Sequence, residues 1–235
     1  MYILGIETAT MTGSVAVLDG TRVLIEHTLH TRATHTERLL TTIDSALHAL
    51  SMSLEDLDAI AVSIGPGSFT GLRIGVTTAK SLAYSLNKPV VGIPTLDALA
   101  AQYVFTETLI CPLLDARKRE VYAAFYRNSG AQVERVSEYA VIAPQDLFHD
   151  VTEPVLLLGE GTIPYRSQLE TLLGAQARFA DMAHDSPRGS LVAQLGYRRI
   201  TGGHADATLT LTPLYVRKSD AEIHWELRQQ KTRQS

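Results

Sequence analysis

The sequence has one cysteine, Cys111, in 235 residues. That excludes an internal disulfide framework and suits a reducing compartment, so a cytoplasmic location is expected. Cys111 lies in the apolar run Leu109-Ile110-Cys111-Pro112-Leu113-Leu114, with no electropositive neighbour, which is the setting of core filler rather than of a nucleophile. No apolar stretch approaches the roughly 20 residues that cross a bilayer, so no membrane partner is expected. Residues 1–18 carry Glu7, alternate like a strand and lack a basic start, unlike a signal peptide. There is no surplus of positive charge: the net charge is -4 with histidine neutral. General attraction to nucleic acid is therefore absent, and any RNA would meet basic surface supplied mostly by another protein. Gly-x-Ser-x-Gly elbows, the lysine-hydroxyl pair of a P-loop and the dinucleotide fingerprint are all missing. The eight histidines form no convincing metal cluster. His30 and His35 would share a site only if the chain bent between them, and solvated loop and helix-cap positions suit them better.

What is present is ordinary globular material: 45% apolar and 20% charged residues. A chain of this length has room for one large domain or two small ones and hides about 70% of its unfolded surface. Tyr2–Ile6, Ser14–Leu18 and Thr21–Leu29 read as three antiparallel strands, with Asp19-Gly20 as a hairpin turn. Thr34-His35-Thr36-Glu37 fits a capping box. Leu39, Leu40, Ile43, Ala46, Leu47 and Leu50 then recur at helical spacing. A strand over Ala59–Ile64 leads through a glycine-rich loop into a helix over about Leu72–Leu86. A strand over Val90–Ile93 follows, and Thr95 is read as the cap of a helix through Tyr103. The second half predicts strands over Leu109–Leu114, Glu120–Arg127, Gln132–Ile142 and Val155–Leu158. It predicts helices at Pro144–Phe148, Tyr165–Leu173 and from Ser186-Pro187 to about Thr201. The halves thus share an element order, antiparallel strands first and then alternating strands and helices, so the fold class is α/β with two candidate lobes. The expected division is 1–105 for the first lobe and 106–235 for a smaller second lobe, with the terminal segment a candidate to return to the first. The last residues, 228–235, are polar and are expected to fray.

Two segments have residue types suited to chemistry. Ile6-Glu7-Thr8-Ala9-Thr10 lies between two strands, where an acidic residue followed by hydroxyls can hold a hydrated cation or bond phosphate oxygens. On spacing alone, a tight turn with polar residues is the favoured reading. Gly65-Pro66-Gly67-Ser68-Phe69-Thr70-Gly71 joins a buried strand to a helix, where free amides and the helix dipole can meet an anion. A loop that merely sets helix packing stands level with that reading. Arg73, one turn on, can meet an anion or a partner carboxylate, although a lone arginine is more often simply solvated. Asp115, Arg117 and Glu120 fit a charged hairpin tip better than an acid-base group.

Together these motifs resemble the TsaB family, also called YeaZ, of bacterial threonylcarbamoyladenosine synthesis. The resemblance rests on Ile6–Thr10 with Ser14–Val17, on Gly65–Gly75, on Leu114–Arg117 with Glu120–Tyr122, and on Pro213–Arg217. It implies a two-lobed fold of the actin, Hsp70 and sugar kinase class, with actin-like (ribonuclease H-like) lobes that are each a mixed sheet flanked by helices. It also implies a non-catalytic scaffold role beside the related catalytic protein TsaD and the ATPase TsaE. Their assembly modifies the adenosine next to the anticodon of tRNAs that read codons starting with A, so tRNA is an indirect partner. It further implies a homodimer in isolation and a heterodimer with TsaD, both through the first two long helices. The candidate interface residues there are Leu39, Ile43, Leu72, Arg73, Val76 and Lys80. Glu7, Thr8, Thr10, Gly65, Gly67 and Ser68 become the candidates for a vestigial nucleotide site. No cofactor is expected to be required by this chain, and ATP or ADP is expected only within the assembly.

The catalytic relative holds a metal with two histidines four residues apart, and alignment on Val91-Gly92-Ile93 places Thr95 and Leu99 at those positions. Leucine has no donor, and a lone threonine hydroxyl is a poor soft-metal ligand. No catalytic residue and no metal are therefore expected. Glu7 departs from the aspartate usual in the TsaB pattern and matches the glutamate common in the catalytic relative, but the missing histidine pair outweighs one methylene. The competing functions are a nucleotide-dependent phosphotransferase or hydrolase built on Glu7 and the glycine loop, and a protease acting on TsaD.

Overall fold

A computed structural model describes residues 1–30, 35–181 and 185–217, with the side chains of residues 35–37 outside that description. The capping box at Thr34–Glu37 and the fraying expected over residues 228–235 therefore fall outside the described residues. The chain opens with β1 (Tyr2–Glu7), β2 (Thr12–Asp19) and β3 (Arg22–His30), then α1 (His35–Ala49). Asp19 pairs with Arg22, so the Asp-Gly turn signal closes the second hairpin as the sequence predicts. The next elements are β4 (Ala59–Gly65), α2 (Phe69–Leu86), β5 (Val90–Pro94) and α3 (Thr95–Ala100). They complete a sheet of order β3-β2-β1-β4-β5, antiparallel on one side of β1 and parallel on the other.

The parallel strands are buried on both faces, which explains their near-continuous apolar sequence. Side chains alternate with period two. Ile60 and Val62 of β4 meet Ile43 and Leu47 of α1 and Val76 and Ala79 of α2. Ala59 and Ala61 meet the opposite layer, where Val192 and Ala193 of α6 (Gly189–Thr201) pack. A helix from late in the chain thus returns to the first sheet.

The second sheet contains β6 (Leu109–Asp115), β7 (Val121–Ala123), β8 (Tyr126–Asn128), β9 (Val133–Arg135), β10 (Ala140–Ile142), β11 (Val155–Leu158) and β12 (Ala177–Phe179). Its helices are α4 (Pro144–Leu147) and α5 (Thr162–Leu173). Its order is β10-β7-β6-β11-β12, with β8 joining β6 and β9 joining β8.

Several predicted elements differ. The strand expected over Glu120–Arg127 breaks at Ala124-Phe125, because β7 pairs with Leu113–Asp115 while β8 pairs further back at Ile110. The expected strand Gln132–Ile142 breaks opposite it. There the Val136 amide donates to the Phe125 carbonyl, and the Phe125 amide donates to the Ser137 hydroxyl. Ser186-Pro187 does not open α6. The helix begins at Gly189, whose amide donates to Ser14 Oγ, and the Ser190 amide donates to Glu26 Oε1. Side chains of the first sheet therefore satisfy the amides that a local cap would have served. Nor does Thr95 cap α3: it is the first helical residue, preceded by Pro94. β12 had no predicted counterpart. After α6, the Asp206 amide donates to Val90 O and the Leu214 amide to Ile64 O, so residues 206–214 run along the first sheet. Among the described residues, no helix is long and apolar enough to cross a membrane.

Candidate functional site

Glu7 ends β1 and is fully buried. Its Oε1 accepts the Ala9 amide at 2.5 Å, whereas its Oε2 has no hydrogen-bond partner. Burial pushes the carboxyl up to about 7 by disfavouring its charged form; the Ala9 amide and then the Ser63 hydroxyl oppose this, and Glu160 adds a smaller rise. Thr8 is also buried, and its hydroxyl donates to Gly71 O at 2.8 Å. Thr10 closes a local turn, accepting the Thr12 amide at 3.1 Å and donating to the Thr12 carbonyl at 3.2 Å. The three residues thus fix the β1–β2 turn and its contact with α2. Of them, only Thr10 lines the open cleft.

The glycine-rich loop is shorter than expected, since Phe69 is already the first residue of α2. Ser68 is the N-cap and accepts the Gly71 amide at 3.2 Å. The Ser68 amide itself donates to Ala9 O at 2.7 Å. A Cβ on Gly67 would lie 2.4 Å from that same carbonyl oxygen, so only glycine allows this approach. Gly65, at φ +117°, faces Leu214 O in the same way. Two of the amides expected to meet an anion are therefore bonded inside the protein. The geometry supports a packing role for the loop more directly than a phosphate cradle.

Beside this loop lies a cleft of about 490 Å³. One wall carries Thr10, Met11, Ser68, Phe69 and Arg73; the facing wall carries Asp115, Arg117, Lys118, Tyr122, Glu160 and Arg217. Asp115 accepts the Arg117 amide at 2.9 Å and pairs with its guanidinium at 3.1 Å. Arg217 donates to Ala116 O at 2.6 Å and pairs with Glu120. Asp115, Arg117 and Glu120 are thus a braced hairpin tip, as expected. Burial raises the Glu160 carboxyl, Asp115 reinforces this, and Arg117 and His30 oppose it. The cleft has carboxylates within it and cations at its rim.

Glu160, Phe69, Tyr215 and Arg217 were absent from the sequence-predicted site. Glu160 had a usable signal, because Gly159-Glu160-Gly161 follows a buried strand just as Gly65-Pro66-Gly67 does. Arg217 lies 97 residues from Glu120, a distance that local patterns do not bridge.

The two positions aligned with metal-binding histidines are closed. Thr95 is buried with its hydroxyl unpartnered, and Leu99 is fully buried in a cluster with Ile110, Leu114 and Tyr126. Among the described residues, no group of three or more His, Cys, Asp or Glu side chains is placed to hold a metal ion. Burial pushes the Cys111 thiol well above its ordinary range, so it stays protonated.

Of the predicted interface residues, Leu39, Ile43, Leu72 and Val76 are buried in the chain's own core. Lys80 donates to Leu209 O and Leu211 O, and the exposed Arg73 donates to the Tyr215 hydroxyl. The helices instead turn Leu40 and Tyr84 outward, 61% and 73% exposed. The sequence stripe on α1 is wide enough for two faces, and the inward face took the residues named for the partner. A groove of about 420 Å³ lies beside Leu40, lined also by Leu47, Met52, Leu54 and Leu82.

Two helix-flanked mixed sheets meeting at a cleft define a two-lobed, actin-like protein. Over residues 26–225 the chain matches the family described as TsaD: tRNA N6-adenosine threonylcarbamoyltransferase. It is 34% identical over 228 residues to the tRNA threonylcarbamoyladenosine biosynthesis protein TsaB of Bacillus subtilis (strain 168), covering 96% of this chain and 98% of that one. YeaZ from Pseudomonas aeruginosa superposes with a TM-score of 0.78 at 25% identity, over 91% of this chain and 99% of the other. Component A of the (R)-2-hydroxyglutaryl-CoA dehydratase of Acidaminococcus fermentans shares the fold, with a TM-score of 0.53 at 11% identity over 86% and 99% of the two chains. The chain belongs to the TsaB family.

Proposed function

We propose that this chain is a non-catalytic subunit in the synthesis of threonylcarbamoyladenosine in tRNA, acting by pairing with a TsaD-type catalytic chain. The observation that carries the reading is the packing of α3. Where the catalytic relative has two metal-binding histidines, Thr95 and Leu99 are enclosed, with Leu99 packed among aliphatic and aromatic side chains. Leucine offers no donor, a lone threonine hydroxyl is a poor one, and burial leaves no open coordination position. The name of the Bacillus subtilis relative supports the pathway.

The pairing surface in this reading is the outer face of α1 and α2 around Leu40, Leu82 and Tyr84. Leu40 and Tyr84 are exposed, and Leu40 lines a groove with the half-buried Leu82, an arrangement that fits association better than solvent. The same surface serves a homodimer in isolation. A TsaE-type ATPase joins the assembly, ATP or ADP belongs to the assembly rather than to this chain, and the setting is cytoplasmic. The first lobe comprises residues 1–105 together with α6 and the segment 206–214, an extension of the division expected from sequence.

The test is the native mass of the purified chain mixed with a TsaD-type protein. The expected result is a stable complex containing both chains. Two separate species at micromolar concentration would overturn the pairing.

A further inference from the structure

We propose that the β6–β7 hairpin tip, Arg117-Lys118-Arg119, is a contact for the phosphate backbone of RNA, an inference that rests on the tRNA-modification reading above. All three residues have positive φ, at 60°, 55° and 64°. Non-glycine residues seldom enter this left-handed region, and then usually singly. The surroundings enforce the conformation. Asp115 accepts the Arg117 amide, the Ala116 amide donates to Glu120 O at 3.0 Å, and the Glu120 amide donates to Arg117 O at 3.0 Å. Arg217 braces the tip from below through Ala116 O and the Glu120 carboxylate. Conformations held this firmly against their preference cluster at functional sites.

The fold does not bury these side chains. All three residues are exposed, and the Arg117 side chain is 82% so. Arg119 has no carboxylate within ion-pairing distance among the described residues. In a chain of net charge -4, three consecutive exposed cations are a local feature that the composition does not suggest.

Their position favours a long polyanion. The tip separates two depressions: the cleft on one side, and on the other a depression of about 660 Å³ lined by Lys118, Arg119, Gln145, Tyr165 and Gln168. A strand crossing the tip would run from one into the other. On the far wall of the cleft, Phe69 stacks on Tyr215 with centroids 4.8 Å apart, and Arg73 lies over the Tyr215 ring at 5.9 Å. Phe69 lines the same cleft as Arg117 and Lys118, and an aromatic side chain sharing a cleft with cations suits unpaired nucleotides, whose bases stack while their phosphates are neutralised. Asp115 pairs with the Arg117 guanidinium at 3.1 Å but leaves that side chain 82% exposed, so it still reaches a phosphate at the rim.

The experiment titrates labelled tRNA transcript with the chain assembled with its TsaD-type partner, over a range of salt. It compares the parent with Arg117→Gln/Lys118→Gln/Arg119→Gln and with a control, Arg22→Gln/Arg178→Gln/Arg198→Gln, away from the tip. Loss of three phosphate contacts is expected to weaken binding roughly tenfold or more at 0.1 M salt and to flatten the log-log salt slope by about 2–3. The control is expected to change affinity less than about twofold, the scale of a general charge effect. Unchanged affinity and slope, or an equal loss in the control, would overturn the proposal. So would unchanged tRNA binding accompanied by loss of an acidic protein partner. The mass of each sample separates this from the function reading. If the partner fails to assemble, that reading fails, and the chain alone must show the same dependence on the tip.

Discussion

The Ser68 amide donates to the Ala9 carbonyl at 2.7 Å, tying the glycine-rich loop to the turn that follows Glu7. Gly67 lies between them with no room for a side chain. The motif that most resembles a phosphate loop is thereby drawn into the packing of its own lobe. Gly67→Ala is expected to destabilise the chain by about 2–3 kcal/mol, since a rigid backbone carbonyl has to move. Ser68→Ala, which removes only the helix cap, is expected to lose about 1 kcal/mol. Urea denaturation of the two variants measures the ranking, and equal small losses would show that the loop yields easily.

Glu7 gives stability a pH dependence of defined sign. Its ordinary value is 4.5 and its folded value about 7, so the folded state holds the proton more tightly than the unfolded chain does. This stabilisation is complete below about 4.5 and is lost as pH rises through about 7, an effect of roughly 3 kcal/mol at most. Glu7→Gln keeps an acceptor for the Ala9 amide and removes the titration. Denaturant unfolding from pH 5 to pH 8 should show the parent losing roughly 2–3 kcal/mol more than the variant. Parallel profiles would contradict the account of the buried carboxyl.

At the hairpin tip, Arg119→Gly is expected to stabilise the fold by roughly 0.5–1 kcal/mol, because glycine adopts φ +64° without the crowding that a Cβ brings. The unfolded-state entropy of glycine limits the gain. A loss in melting temperature would show that the arginine side chain is held by something more than its backbone.

On the outer face of α1 and α2, Leu40→Glu combined with Tyr84→Glu is expected to weaken binding to the TsaD-type partner at least a hundredfold. Truncating well-packed interface anchors removes 2 kcal/mol or more each. Both side chains are largely exposed, so the melting temperature of the isolated chain is expected to stay within about 2 °C. Unchanged binding would move the partner surface elsewhere.

Much of this was legible in the sequence where local patterns decide. The strand, turn and helix order of the first lobe follows from period-two and 3.6-residue repeats, and Asp19-Gly20 marks its turn correctly. Distant partners caused the misses. The start of α6 depends on Ser14 and Glu26, and the break after β7 depends on which part of β6 is free to pair. Leu39, Ile43, Leu72 and Val76 were named as partner contacts on the family resemblance, because an apolar stripe has no direction until the sheet beneath it is known; in the fold they lie in the chain's own core. For the same reason Glu7 was legible as an acidic residue at a strand end, but its burial and unpartnered oxygen were not.

The most direct test measures threonylcarbamoyladenosine in unmodified tRNA by mass spectrometry. The chain is supplied alone, omitted from, or added to a mixture of TsaD-type protein, TsaE-type ATPase and threonylcarbamoyl-adenylate. The account predicts product only when this chain and the catalytic protein are present together. Product formed by this chain in isolation, or at full rate without it, would contradict the account.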